Sequence, residues 1–307
     1  MFSNMIIYRI APTWSASLDQ VESALGQARY VACTPSQEKS TGWVEPRGEA
    51  HGALVESIGG HWILKFMVET KDVPGAVVDR QAQIAAREIA QEVGRKPGRK
   101  EIKEIKEGIR LNLLPMAFPK LGASLVWIDC QAHILVIDAA SQVHADEVVT
   151  ALVKSLDGFA VALLDTRFSP VSAMAEWLTT QEPPAGFAIE QECELKAADE
   201  SKAAIRYTRS PLDTDEVKQH IAQGMLPSRL ALSWDDRASF LLTENMQLKK
   251  VHLLDVVFKG KSTDDGGFDA DVAIATGEFA KLLPDLVQAL GGVALPAEAS
   301  AVAAGGQ

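Results

Sequence analysis

GRKPGRKEIKEIKEGIRLNLLPMAF (residues 94–118) carries two patterns laid over one another. The first is a helical period. Ile102, Ile105, Ile109 and Leu113 recur at the spacing of one helix face, Pro97 and Gly98 break the chain before them, and Pro115, which has no amide hydrogen, breaks it after them. The spacing predicts a helix from about Arg99 to Leu114. The second pattern is charge. On a wheel of roughly 100° per residue with Ile102 at zero, Arg99, Lys103, Lys106 and Arg110 fall on one edge, between about 40° and 100°. Glu101, Glu104 and Glu107 lie away from that edge.

Sorting by sign costs a helix stability. Arg99–Lys103 and Lys106–Arg110 are like-charge pairs four residues apart, each unfavourable by roughly 0.2–0.5 kcal/mol. The favourable order, Glu four residues before Lys, never occurs in this helix. A row of cations suits a phosphate backbone, where each contact releases condensed counterions. On the residues alone two readings stand, a solvated or partner-facing helix and a polyanion face.

The whole chain is acidic, with 30 Lys and Arg against 41 Asp and Glu, a net charge of -11 and an isoelectric point near 5.1. That excludes nucleic-acid binding over the whole surface but leaves room for a local basic face, because residues 80–120 hold ten basic and five acidic side chains. With 307 residues, 47% hydrophobic, the chain can bury a sizeable core in one large domain or two to three smaller ones. No apolar run reaches the ~18 residues of a membrane helix, and the opening residues lack the layout of a signal peptide. Cys33, Cys130 and Cys193 are odd in number and far apart, which predicts buried thiols in a reducing, cytoplasmic compartment rather than disulfides or a zinc site.

Around the basic segment, strands and helices are mixed. NMIIYRI (4–10) reads as a buried strand, 15–28 as a helix capped by Ser15 or Ser17, and GWVEPRGE (42–49) as a turn-rich link. GALVESI and HWILKFMVE flank Gly59-Gly60 as a β-hairpin. A helix is predicted over 76–93, a second hairpin over 124–139, helices over 141–156 and 170–179, and strands in FAVALLD, GFAIEQECEL and AAIRYTR. A helix with an Asp cap begins in DTDEVKQHIA, and strands are predicted over 228–234, 238–243 and 247–257. The segment 268–292 reads as a strand followed by an amphipathic helix ended by Gly291-Gly292. Alternating elements with several hairpins predict an α+β fold with mixed or antiparallel sheets and a helical arm. The divisions follow as an N-terminal α+β region (1–75), the basic arm (76–114), a central α+β region (115–180), a C-terminal α+β region (181–292) and a disordered tail (293–307).

Chemistry-bearing motifs are absent from the sequence. The six histidines show no metal-ligand spacing, Ser36 and Lys39 match Ser-x-x-Lys by chance alone, and no phosphate-binding glycine motif occurs. DDGGFDAD (264–271) lacks the order of a calcium loop and reads as a loop followed by a strand. No catalytic residue, metal or cofactor is expected. An enzymatic role would need Asp264, Asp265, Asp269 and Asp271 to converge on a metal.

Six segments in order, NMIIYRI, GWVEPRG (42–48), LLPMAF (113–118), VWID (126–129), LALSWDDR (230–237) and FDADVAIATGE through ALGG (268–292), together resemble the RdgC family of bacterial recombination-associated, nucleoid-associated proteins. The resemblance covers nearly all of the chain except the tail. It implies a non-enzymatic protein of the cytoplasm and nucleoid, in which two horseshoe-shaped α+β subunits close into a ring homodimer around duplex DNA. Binding is then independent of sequence and limits access of the RecA recombinase; single-stranded DNA is a further candidate ligand. Arg87, Arg95, Lys96, Arg99, Lys100, Lys103, Lys106 and Arg110 become the expected DNA contacts, with Pro74 at the place of a proline-tipped hairpin. On the residues alone LLPMAF reads either as core packing or as an exposed apolar knob at a subunit contact; the resemblance makes Leu114, Pro115, Met116 and Phe118 the expected dimer contact. The alternative is a protein–protein adaptor whose basic helix docks an acidic partner. The loop GKSTDDGG (260–267) and the Ala/Gly-rich tail depart from the family pattern.

Overall fold

Alternation of apolar residues makes strands of the segments that frame the chain's core, and the order in which they pair is antiparallel throughout. The computed structural model describes residues 2–199, 203–258 and 267–294. The elements are β1 (Asn4–Ile10), α1 (Leu18–Gly26), β2 (Lys39–Val44), β3 (Val55–Ile58), β4 (His61–Lys71), α2 (Gly75–Val93), α3 (Arg99–Leu113), β5 (Pro119–Asp129), β6 (Ile134–Asp138) and α4 (Gln142–Ser155). They continue as β7 (Val161–Leu163), α5 (Pro170–Thr180), β8 (Phe187–Ala197), β9 (Ala204–Thr208), α6 (Asp215–Ala222), β10 (Met225–Trp234), β11 (Ala238–Thr243), β12 (Leu248–Leu253) and α7 (Phe268–Ala289). The predicted α+β class and its hairpins are what the chain forms.

Contacts divide the chain into two compact units that interleave in sequence. Unit 1 holds Met1–Val21, Val55–Leu64 and Leu125–Gln307; unit 2 holds Glu22–Leu54 and Lys65–Ser124. The segments read as 115–180 and 181–292 therefore fall largely in one unit, and the region read as 1–75 is shared by both. The tail from 295 onward and most of the 260–267 loop lie outside the described residues.

In unit 1 the strands pair in the order β5-β6-β1-β12-β11-β10-β8-β9. β1 is central: β6 runs along one edge, while β12 and β7 share the other. Gly59 and Gly60 both take positive φ, 60° and 87°, which the two-residue β3–β4 turn needs to match the strand twist. The core gathers Phe2, Trp127 and Phe279, with centroids 6.3–6.4 Å apart, beneath α5 and α7.

Four readings are corrected here. Residues 268–289 form one helix, not a strand and a helix. Val272, Ala275, Phe279, Leu282 and Leu286 make a buried helical stripe, and Asp269 and Asp271 occupy the first turn, where the helix dipole favours acids. The cap of α6 is Thr214, whose hydroxyl accepts from Val217 N at 3.5 Å, rather than an Asp. Gly42, Trp43 and Val44 are not a link but the end of β2, because Trp43 is buried against Phe66 with centroids 4.9 Å apart. All three cysteines are free thiols, but only Cys193 is buried; Cys33 and Cys130 are half-buried.

Unit 2 contains β2, the second part of β4, the first part of β5, and the pair α2–α3. Tyr30 and Cys33 close over Glu69, whose carboxylate accepts from the Tyr30 hydroxyl and, at 2.8 Å, from Cys33 N. These bonds hold the Glu69 carboxyl below its usual range, the Tyr30 contribution being the larger.

Candidate nucleic-acid interface

Few apolar residues hold the helical arm. α2 fully buries only Val78 and Ala82, and α3 buries no residue completely. Ile102, Ile105, Ile109 and Leu113 are its half-buried apolar positions, as the wheel requires, and Ile109 and Leu113 pack on a small cluster of Val73, Val78 and Leu114. With so thin a core, the arm's long charged side chains remain in water.

The start of α3 depends on one carboxylate. Gly98 is its cap residue and has no side chain to offer, so only half of a capping box forms: Glu101 accepts from Gly98 N at 2.6 Å. Glu101 also accepts two bonds from the Arg95 guanidinium, at 2.7 and 2.8 Å. Arg95 first, and the Gly98 amide second, pull the Glu101 pKa down to about 2. A depressed carboxyl stabilises the fold above its ordinary value near 4.5, and that contribution is lost as pH falls toward 2.

The eight expected cations divide into two groups. Arg95 is held by Glu101, Lys106 Nζ sits 2.7 Å from Asp79, and Arg110 Nε sits 2.8 Å from Glu38. The Arg110 contact is an ion pair by distance but lacks hydrogen-bond geometry at Nε. Arg87, Lys96, Arg99, Lys100 and Lys103 are exposed and have no ion-pair or hydrogen-bond partner among the described residues. The four-residue row seen on the wheel is thus open at Arg99 and Lys103 and closed at Lys106 and Arg110. Arg80, which the sequence reading passed over, belongs with the open group. It is exposed, unpartnered and seven residues before Arg87, two turns along the outward side of α2; a wheel drawn for α2 as well as α3 would have found it.

A family profile described as "Putative exonuclease, RdgC" matches residues 1–293. The chain belongs to the RdgC family. Relatives named "Recombination-associated protein RdgC" include one from Dechloromonas aromatica (strain RCB), 40% identical over 304 residues, with 97% of this chain and 99% of the relative covered. Another, from Bordetella pertussis (strain Tohama I), is 43% identical over 295 residues, covering 95% and 98%. A third, from Herminiimonas arsenicoxydans, is 42% identical over the same length.

Two expectations drawn from the RdgC resemblance change in detail. Pro74 lies at the junction of β4 and α2, as the cap residue of α2 with φ −55° and ψ 124°, and not at the tip of a β-hairpin. Leu114 is 1% exposed inside its own unit and Pro115 sits in a short 3-10 turn, so Leu114 braces this corner from within. The side chains that stand out are Met116 and Phe118, 69% and 92% exposed, joined by Leu121 on β5. Unit 2 also has an open hollow of about 490 Å³ lined by Ala76, Val77, Arg80, Gln81 and Ile84 on α2.

Among the described residues no three His, Cys, Asp or Glu side chains are grouped to hold a metal. Asp269 and Asp271 lie in the first turn of α7, and Asp264 and Asp265 lie outside the described residues. Nor is any helix among them long and apolar enough to cross a membrane.

Proposed function

We propose that this RdgC-family chain is a recombination-associated protein that binds duplex DNA without reading its sequence, as a homodimer closed around the double helix, and so limits RecA access. The observation that carries the reading is the cluster of exposed, unpartnered cations on the arm: Arg80, Arg87, Lys96, Arg99, Lys100 and Lys103. Side chains free of internal carboxylates are available to phosphates, and phosphate contacts position a protein without specifying bases. The acidic remainder of the chain repels DNA from other surfaces. A two-fold dimer presents the cluster twice, which lets a chain of net charge -11 still hold a polyanion.

The test is a salt titration of the intact protein on two duplexes of unrelated sequence, with a single strand as a third ligand. With five or more phosphates neutralised, log K against log salt should fall with a slope of about −4.5 or steeper on either duplex. Affinities for the two duplexes should agree within about threefold. Little affinity at ~50 mM salt, together with one saturable protein partner, would favour the adaptor reading. Shortening of the duplexes in magnesium would instead point to the exonuclease named in the family description.

The dimer contact is assigned to Phe118. A phenyl ring 92% in water is the kind of aromatic anchor that dominates interfaces, and the hollow beside Val77 and Ile84 offers an apolar seat with the Arg80 guanidinium at its edge. A two-fold axis would seat each ring in the partner's hollow. Phe118→Ala, and separately Ile84→Glu, should each weaken self-association by at least about a hundredfold, read by analytical ultracentrifugation. A dimer that survives both changes rules out this contact.

A further inference from the structure

Two carboxylates from outside α3 reach its basic edge. Asp79, in the second turn of α2, meets Lys106 at 2.7 Å, and Glu38, just before β2, meets Arg110 at 2.8 Å. All four side chains are roughly half exposed, although Arg110 Nε itself is covered, so the charges these pairs engage are still reached by solvent. They lie at one end of the row. From Arg99 to Arg110 the edge is about 16 Å long at 1.5 Å per residue, and only its first 6 Å or so, Arg99 to Lys103, is open.

We infer that Asp79 and Glu38 are masking residues that set the strength of DNA binding by withholding Lys106 and Arg110 from phosphates. This rests on the DNA-binding reading above. An exposed ion pair resists displacement weakly, by about fivefold in a binding constant at most. A phosphate that displaces the carboxylate, however, must also tolerate it as a close neighbouring anion. The carboxylates therefore subtract twice, once by engaging the cation and once by repelling the ligand. With both in place the row grips along part of its length, which suits a protein that must hold DNA and still move along it or leave.

The experiment is the salt titration repeated on Asp79→Asn with Glu38→Gln, beside Glu104→Gln as a control. Glu104 is exposed, has no partner among the described residues and masks no cation. Freeing two cations should make the slope steeper by about 1.8 per subunit and tighten binding by about tenfold to thirtyfold at 0.15 M salt. Glu104→Gln should tighten binding slightly with no change of slope, because it alters the field but not the number of contacts. Tighter binding by the double variant at unchanged slope would overturn the masking assignment, as would binding no tighter than that of Glu104→Gln. The arm itself is tested separately by reversing Lys96, Arg99, Lys100 and Lys103. Should that reversal abolish binding while the double variant behaves like wild type, the masking idea alone fails; should the reversal do nothing, the DNA-binding reading fails with it.

Discussion

Replacing Lys96, Arg99, Lys100 and Lys103 together by Glu should reduce the salt slope by about 3.6 per subunit and lower duplex affinity by at least about three orders of magnitude at 0.15 M salt. The choice of these four follows from their surroundings. Each is exposed and has no internal partner among the described residues, so its whole charge faces solvent and whatever polyanion enters it. Reversal removes the contact, leaves the counterion on the DNA and adds a repulsive charge. The fold should tolerate the change, since α3 buries none of its residues completely and its apolar stripe is untouched. One readout separates loss of contacts from loss of structure: the melting temperature should move by only a few degrees, as expected for exposed substitutions. Affinity and slope both unchanged, with the protein folded, would mean that DNA, if bound at all, is held elsewhere.

The largest effect on stability is expected at Gly42. A Cβ at this position would collide with the Cα and the N of Tyr30 and lie 2.7 Å from the carbonyl carbon of Arg29. These are backbone atoms, and they cannot step aside as the end of a side chain could. The two segments are pinned by Trp43 N donating to Ala28 O and Tyr30 N donating to Trp43 O, each at 3.0 Å. Gly42→Ala must therefore spread β2 from residues 28–30, stretch both bonds and disturb the Tyr30–Glu69 contact on the same loop. The cost should be about 3 kcal/mol or more, at the upper end of what overpacking does, and the melting transition should fall by roughly 10 °C. Hydrogen exchange should place the loss in unit 2, with β10 and β11 of unit 1 still protected. A variant within 2 °C of wild type would show that the approach of the two backbones relaxes freely.

Local signals carried much of this fold. The Gly59-Gly60 hairpin, the helices at 76–93 and 99–114 and the half-buried stripe of α3 all follow from spacing within a few turns. Gly42–Val44 was hidden because its strand is short and ends at a Pro-Arg-Gly turn, so no period could emerge. The start of α7 was hidden for a different reason. Phe-Asp-Ala-Asp-Val alternates like a strand for five residues, and only the longer stripe through Leu286 shows the helix. At the candidate site the cations were legible, and what engages them was not. Asp79 and Glu38 belong to other elements, and no rule of helix spacing brings Glu38 to Arg110. The burial of Leu114 has the same origin: its neighbours Val73 and Val78 precede it by a full helix.

The place of β1 also decides when unit 1 can be completed during synthesis. β1 is flanked on both edges by strands made much later than itself, with Met5 opposite Asp138 on one side and Asn4 opposite Lys249 on the other. Its apolar residues have no strand partner until β6 is made, more than 120 residues later, and its other edge waits for β7 and β12, pairings of long sequence separation that are slow to close. The nascent chain carries that apolar ribbon unpaired over this interval.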